Sequence, residues 1–274
     1  MEAKNFMDVK YESVKFEHKG FGKRVKSMLA VDFRRMFTMR LFYVMAGICL
    51  VMPVLVLVMT SAFGGKPQGG AEAAAGMFEN TWQIIGTASG AGGGMMMDMT
   101  AMCNINLLYF GAAVLVALFV SEDFRSGYAK NLFTVRADKD DYIVSKTIVC
   151  FAAAALLLLA FFAGAVIGGA IAGLSFEMGA LSVGNIVMCM LCKIFLMSAF
   201  VSIYLTMSAF AKQRAWMGIV GGLVAGMLMF MMIPMMTPLD ATVMHVVMCL
   251  AGGILFSVGM GFVGTALLKK IDLV

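Results

Sequence analysis

Six runs of apolar residues constrain this 274-residue chain more than any motif in it. They cover Phe42 to Phe63, Ile105 to Val120, Ile143 to Leu174, Ile186 to Phe210, Trp216 to Met236 and Val243 to Leu268. A hydrocarbon layer about 30 Å thick takes about 20 residues of α-helix to cross, and backbone in lipid must satisfy its own hydrogen bonds. Each run therefore reads as a transmembrane helix. With 61% hydrophobic and 14% charged residues, the chain has more apolar surface than one soluble core can hide. The runs are continuous and rich in Leu, Met and Ala, where a β-barrel would alternate. The second run is short and the third and fourth are long, so the long pair is expected to tilt or to extend beyond the bilayer. The first run follows some 40 residues dense in Lys and Arg and carries no small-residue cleavage site, so it reads as a retained span.

Charge orients the bundle. Of 21 Lys and Arg residues, 18 fall at the N-terminus, between runs two and three, between runs four and five, or at the C-terminus, and Lys146 stands one turn into the third run on the same side; only Lys66 and Lys193 lie elsewhere. These regions share one side of a six-span bundle, and the positive-inside bias makes that side the cytoplasm. Glu72, Glu79, Asp98, Glu177 and Asp240 mark the outer side as a weaker cue. The net charge of +5 then reflects topology and anionic headgroups, with no nucleic-acid partner implied. The expected fold is an all-α integral membrane protein with six transmembrane helices and both termini cytoplasmic. Residues 1–41 form a cytoplasmic segment and residues 42–274 the membrane domain.

Within the N-terminal segment, Met1 to Lys19 mixes charges with partial alternation and admits a strand, a helix or a tail. From Phe21 to Phe42, Val25, Met28, Leu29, Phe33, Met36 and Phe37 share one helical face, with Lys23, Arg24, Arg34 and Arg35 opposite. That pattern predicts an amphipathic helix on the inner leaflet. Asp32 interrupts its apolar face, which points to a local pair with Arg35 or to contact with a partner chain. The outer loop from Gly64 to Cys103 is rich in glycine, and Glu72 to Ile85 suggests a short amphipathic helix laying Phe78, Trp82 and Ile85 on the membrane surface. Gly164, Gly168, Gly169 and Gly173 in the third run, and Gly218, Gly222 and Gly226 in the fifth, allow close helix approach, within one subunit or at a dimer seam.

Chemistry that is missing narrows function. No Asp or Glu falls inside a run, which weakens a carrier driven by protons or sodium. Lys193 is the conspicuous ionisable residue, either snorkelling outward or facing a water-filled cavity where it meets an anionic substrate group; His245 lies near the start of the sixth run. No HExxH or GxSxG motif is present, and neither Gly22-Lys23 nor Gly65-Lys66 sits in a nucleotide-binding loop. The chain is expected not to be an enzyme. Cys189 and Cys192 form a CxxC whose default role is apolar packing. The 29 methionines suit core filling or a greasy path better than copper, since no fixed Met spacing is joined by Cys or His. No metal or cofactor is expected on this chain.

The charged connection from Ser121 to Tyr142 begins SEDFRSGYAKNLF. Ser121 is a plausible N-cap, with Glu122 and Asp123 in a first turn where carboxylates are favoured. A short helix is expected to begin there and break at Gly127. Phe124 and Tyr128, four apart, share a side of it, and an aromatic pair flanked by both charge signs suits docking to a soluble partner.

Here the chain resembles the membrane subunits of type-2 ATP-binding-cassette exporters, of the small six-span kind associated with peptide toxin or antimicrobial peptide export and immunity. The residues that carry the resemblance are Glu122, Phe124, Gly127, Lys130, Leu132, Tyr142 and Lys146. In place of the family's Pro-Ser-Arg-like element stands Val135-Arg136-Ala137-Asp138, and little room remains between Pro234 and Val243 for a re-entrant helix pair. The resemblance implies a permease that exports hydrophobic or amphipathic cargo, with peptides the leading class, by alternating access. Two copies of a separate cytoplasmic ATPase would hold ATP and magnesium, and a second permease subunit would complete a homodimer in a bacterial plasma membrane. It assigns ATPase coupling to Glu122, Asp123, Phe124, Arg125, Ser126, Gly127, Tyr128 and Lys130. Asn104, Asn106 and Lys193 are the polar candidates for the cargo path. A scaffold without transport and an ion-conducting channel or carrier are the alternatives.

Overall fold

The computed structural model describes residues 20–63, 78, 80–87, 104–135, 139–177, 179, 181–230 and 232–270. Expectations for residues 1–19, for most of the outer loop including Cys103, and for the turn at 136–138 fall outside them. The described residues form nine α-helices and one short 3-10 helix, Thr81–Ile84, with no strand among them. In chain order the α-helices are α1 (Phe21–Thr38), α2 (Arg40–Phe63), α3 (Leu107–Arg125), α4 (Tyr128–Val135), α5 (Lys139–Ala172), α6 (Val183–Ala211), α7 (Ala215–Phe230), α8 (Met232–Met236) and α9 (Val243–Lys270).

Five of these, α2, α3, α5, α6 and α9, are long and apolar enough to cross a membrane. The fifth predicted run is described as the 16-residue apolar α7 and the five-residue α8, on either side of residue 231, which lies outside the described residues.

Packing follows the small residues. Gly164 and Gly168 let α5 lie directly on the backbone of α2: a Cβ on Gly164 would collide with the Leu50 carbonyl, and one on Gly168 would come within 2.7 Å of Val54 Cα. Gly222 and Gly226 of α7 give way to the ring of Tyr204 on α6. Gly253 brings α9 against the Phe195 carbonyl and Ser198 of α6, and Ser257 Oγ donates to the Ser198 carbonyl at 3.2 Å. Ser182 caps α6 by accepting from the Asn185 N–H.

In the described part of the loop after α2, the aromatics expected on a membrane surface pack into the helical bundle. Phe78, Trp82, Ile84 and Ile85 are buried. Trp82 Nε1 donates to the Phe176 carbonyl at 3.2 Å, its ring meets Phe176 edge-on, and the Thr81 N–H donates to the Ser175 carbonyl at 3.2 Å. The aromatic face meets the bundle end because Gly169 leaves a space filled by Thr81.

Candidate functional site

The amphipathic helix α1 forms where predicted, with Met28, Asp32 and Met36 buried at four-residue spacing. This stripe packs on α5. Asp32 does not pair with Arg35, its expected neighbour. Its carboxylate forms an ion pair with Lys146 Nζ at 2.9 Å and accepts a hydrogen bond from Ser145 Oγ at 2.7 Å, both on α5. Lys146 also reaches Asp123 on α3 at 2.6 Å, while Arg35 of α1 meets the other oxygen of Asp123 at 2.5 Å. Tyr142 donates its hydroxyl to Asp123 at 2.9 Å. Asp32, Asp123 and Lys146 are all 0% exposed.

Three helices thus meet at one balanced cluster of two acids and two bases. Buried charges are tolerable only when paired and hydrogen-bonded, and aromatic faces cover Lys146 and flank the partly exposed Arg35. Lys146 Nζ stands 4.0 Å from the Phe119 ring centroid, and the Arg35 guanidinium carbon 4.1 Å from that of Tyr128. Burial, and after it the Asp32 carboxylate, push the Tyr128 phenol above its ordinary range, so it stays uncharged. A second pair, Arg24 to Asp141 at 3.0 Å, ties α1 to the start of α5 again.

The predicted coupling residues divide around this cluster. Ser121 does not begin a helix: it lies inside α3, donating to the Leu118 carbonyl at 3.1 Å. The second span runs on without interruption through Glu122, Asp123 and Phe124 to Arg125, because nothing before Gly127 breaks its hydrogen bonds. Gly127 takes φ +73°, a conformation that favours glycine, and α4 starts at once with Tyr128. Phe124 is buried, so the expected exposed aromatic pair does not exist. Asp123 and Phe124 face inward, Tyr128 is half-buried, and Glu122, Arg125, Ser126 and Lys130 are exposed. The turn is held by the Ser126 N–H and hydroxyl, which donate to the Glu122 carbonyl at 2.9 and 2.7 Å.

Of the residues carrying the motif, Tyr142 and Lys146 join Asp123 in the cluster. Asp32 and Arg35 complete it and were missed as members. An acid in the middle of an apolar helix face and a lysine about 10 Å inside a span are the signals that would have found them.

The three path candidates come together at the end of the bundle that carries the Thr81–Ile84 turn. Lys193 Nζ donates to Asn106 Oδ1 at 2.8 Å and to Thr237 Oγ1 at 2.9 Å. The Asn106 N–H donates to Asn104 Oδ1 at 2.9 Å, and Tyr109 donates its hydroxyl to the Lys193 carbonyl at 2.8 Å. All three candidates are buried, and Lys193 is 0% exposed. Lys193 neither snorkels outward nor faces an open cavity in this conformation.

No curated protein and no solved structure matches the chain. Residues 38–229 match the model of a protein family described as ABC-2 family transporter protein. The matched stretch is well over half of the chain and includes α2, α3 and the connection after it with Asp123 and Lys146, and all but the last residue of α7, while Asp32 and Arg35 precede it. The chain belongs to the ABC-2 family of transporter proteins, as a multi-pass permease component of the kind that works with an ATP-binding-cassette ATPase.

Proposed function

We propose that this chain is the permease of an exporter for hydrophobic or amphipathic cargo, with peptides the leading class, driven through alternating access by two copies of a separate ATPase. ATP and magnesium belong to that partner. The observation that carries the coupling half of the reading is the position of Asp123. It is held to Lys146 and Arg35 within the same helical turn that exposes Glu122 and Arg125. A push on the exposed turn has a rigid route into α1 and α5, which a solvated loop would not provide. Glu122, Arg125, Ser126 and Lys130 are the docking surface, Gly127 sets its turn, and Asp123, Phe124 and Tyr128 pass the load inward.

The charge pattern supports an even number of crossings: α7 followed by α8 makes the fifth, and both termini and the connection after α3 lie in the cytoplasm of a bacterial plasma membrane. The amphipathic α1 then lies at the inner leaflet. A greasy cargo suits the apolar groove of about 310 Å³ between α2, α3 and α7, lined among others by Met45, Ile48, Met52, Phe110 and Leu223. The largely unburied apolar surfaces of α2 and α9 leave room for lipid and for a second permease subunit.

The test removes docking side chains without touching the cluster. Glu122→Ala, Arg125→Ala and Lys130→Ala combined should leave the chain folded, with a melting temperature within about 2 °C of the parent, as exposed substitutions usually do. The same change should abolish copurification with the ATPase, or leave ATP hydrolysis running without export. Intact copurification and coupled export in the triple variant would contradict the assignment.

A further inference from the structure

Lys193 carries chemistry that packing does not need. Its amine sits in a fully buried position of a membrane helix, yet among the described residues it has no carboxylate within ion-pair distance. Both of its acceptors, Asn106 and Thr237, are neutral, and an ammonium has three hydrogens to give. A glutamine could serve two neutral acceptors without the desolvation cost of a charge. The one acid felt nearby is Asp240, whose charge acts on Cys189, one turn from Lys193, without ion-pairing the amine. Cys189, Cys192 and Cys249 are free cysteines, and Tyr109 spends its hydroxyl on the Lys193 carbonyl. Asn106 immediately precedes α3, so the positive end of that helix dipole lies beside the amine.

A lid covers this site. The Ile105 N–H, next to Asn106, donates to the Ile84 carbonyl at 2.9 Å, and the Leu239 N–H, two residues from Thr237, donates to the Thr87 carbonyl at 2.9 Å. Gly86 rests against Cys189 Sγ and the Thr237 carbonyl, where an added Cβ would stand 3.7 Å from each. The segment 80–87 therefore binds both elements that hold the amine, and lifting it loosens both acceptors together.

We propose that Lys193 is an anion-recognition residue on the exit side of the cargo path, stored on two neutral acceptors beneath a closed outer lid and released to a carboxylate or phosphate of the cargo when the outer ends part. The inference rests on the exporter reading for the opening motion, and it narrows the cargo to amphipaths that carry negative charge.

Cys189, one helical turn from Lys193, is a built-in reporter. In intact cells carrying the transporter, with Cys49, Cys150, Cys192 and Cys249 changed to Ala and Cys103 changed to Ser, two membrane-impermeant thiosulfonates are added from outside. One bears a sulfonate, the other a trimethylammonium, and each rate at Cys189 is divided by its rate with a free thiol in solution. The sulfonate is expected to react faster by about tenfold, the effect of one unit charge at this range in a partly screened interior. Lys193→Gln, which can keep both hydrogen bonds, should bring the ratio to about one, and Lys193→Arg should retain it. If the cysteine replacements impair folding, mass mapping of Cys189 in the unaltered chain gives the same ratio. A ratio unchanged by Lys193→Gln, no preference in the parent, or no reaction with either reagent in energised cells would each overturn the proposal. Charge preference without energy dependence would count against the exporter reading and leave the anion site standing; energy dependence without charge preference would do the reverse.

Discussion

Replacing Lys146 with Met is expected to remove about 3–5 kcal/mol of stability, the usual cost of breaking a buried ion pair by deleting one partner. The size follows from what remains. Asp123 keeps Arg35 and Tyr142, whereas Asp32 keeps only the hydroxyl of Ser145. A carboxylate with 0% exposure and one neutral donor is the costly leftover. Changing Asp32 to Asn in the same chain should therefore recover much of the loss, and changing Asp123 to Asn instead should recover less, because that leaves Arg35 unpaired. Thermal unfolding of the detergent-solubilised protein reads all three. A Lys146→Met protein that melts within about 2 °C of the parent would show that the cluster is not holding α1, α3 and α5 together. The recovered double variant has a second use. If it folds but exports poorly, the charges serve motion as well as stability.

Gly164→Val should be the most damaging change in the spans, by about 3 kcal/mol, at the upper end of the ordinary cost of overpacking. Most overpacked side chains find relief in a rotamer change of a neighbour. Here the first obstacle is the backbone carbonyl of Leu50, with Pro53 Cγ 2.8 Å from the added Cβ, so α2 and α5 must move apart as rigid bodies. Gly168 repeats the contact one turn on, against Val54 Cα, and the two helices would part along their whole glycine seam. Gly252→Ala on α9 is the control, since its Cβ meets nothing within 4 Å. It should be neutral or gain up to about 1 kcal/mol from helix propensity. Equal losses at Gly164 and Gly252 would mean that the glycines act through propensity rather than through close approach.

Much of this protein was legible from periodicity. The apolar face of α1 and the glycine seam of α5 both appear as spacings along the chain, and local spacing survives folding because a helix fixes which residues share a side. The connection after the second span was harder. Glu122 and Asp123 are neighbours of the same type, and a dipole argument treats them alike. In the structure one is exposed and the other wholly buried, because an uninterrupted α3 turns successive residues about 100° apart. Ser121 misled for a related reason: a capping residue acts as a cap only where the helix starts, and a span that continues through it absorbs its hydroxyl into the backbone. The outer aromatics misled through their partner. An aromatic near a bilayer edge suits the interface, but Thr81 and Trp82 found a space at Gly169 and the Phe176 carbonyl.

What the sequence determined alone was what depends on length, spacing and total charge: a helical, multi-pass membrane chain and the sidedness expected of it. Tertiary structure decided the pairings. Asp32 lies more than a hundred residues from Lys146, and Lys193 nearly as far from Asn106, so no local rule relates them. A charge in a low-dielectric interior is stable only beside particular neighbours, and which neighbours arrive is set by how whole helices pack.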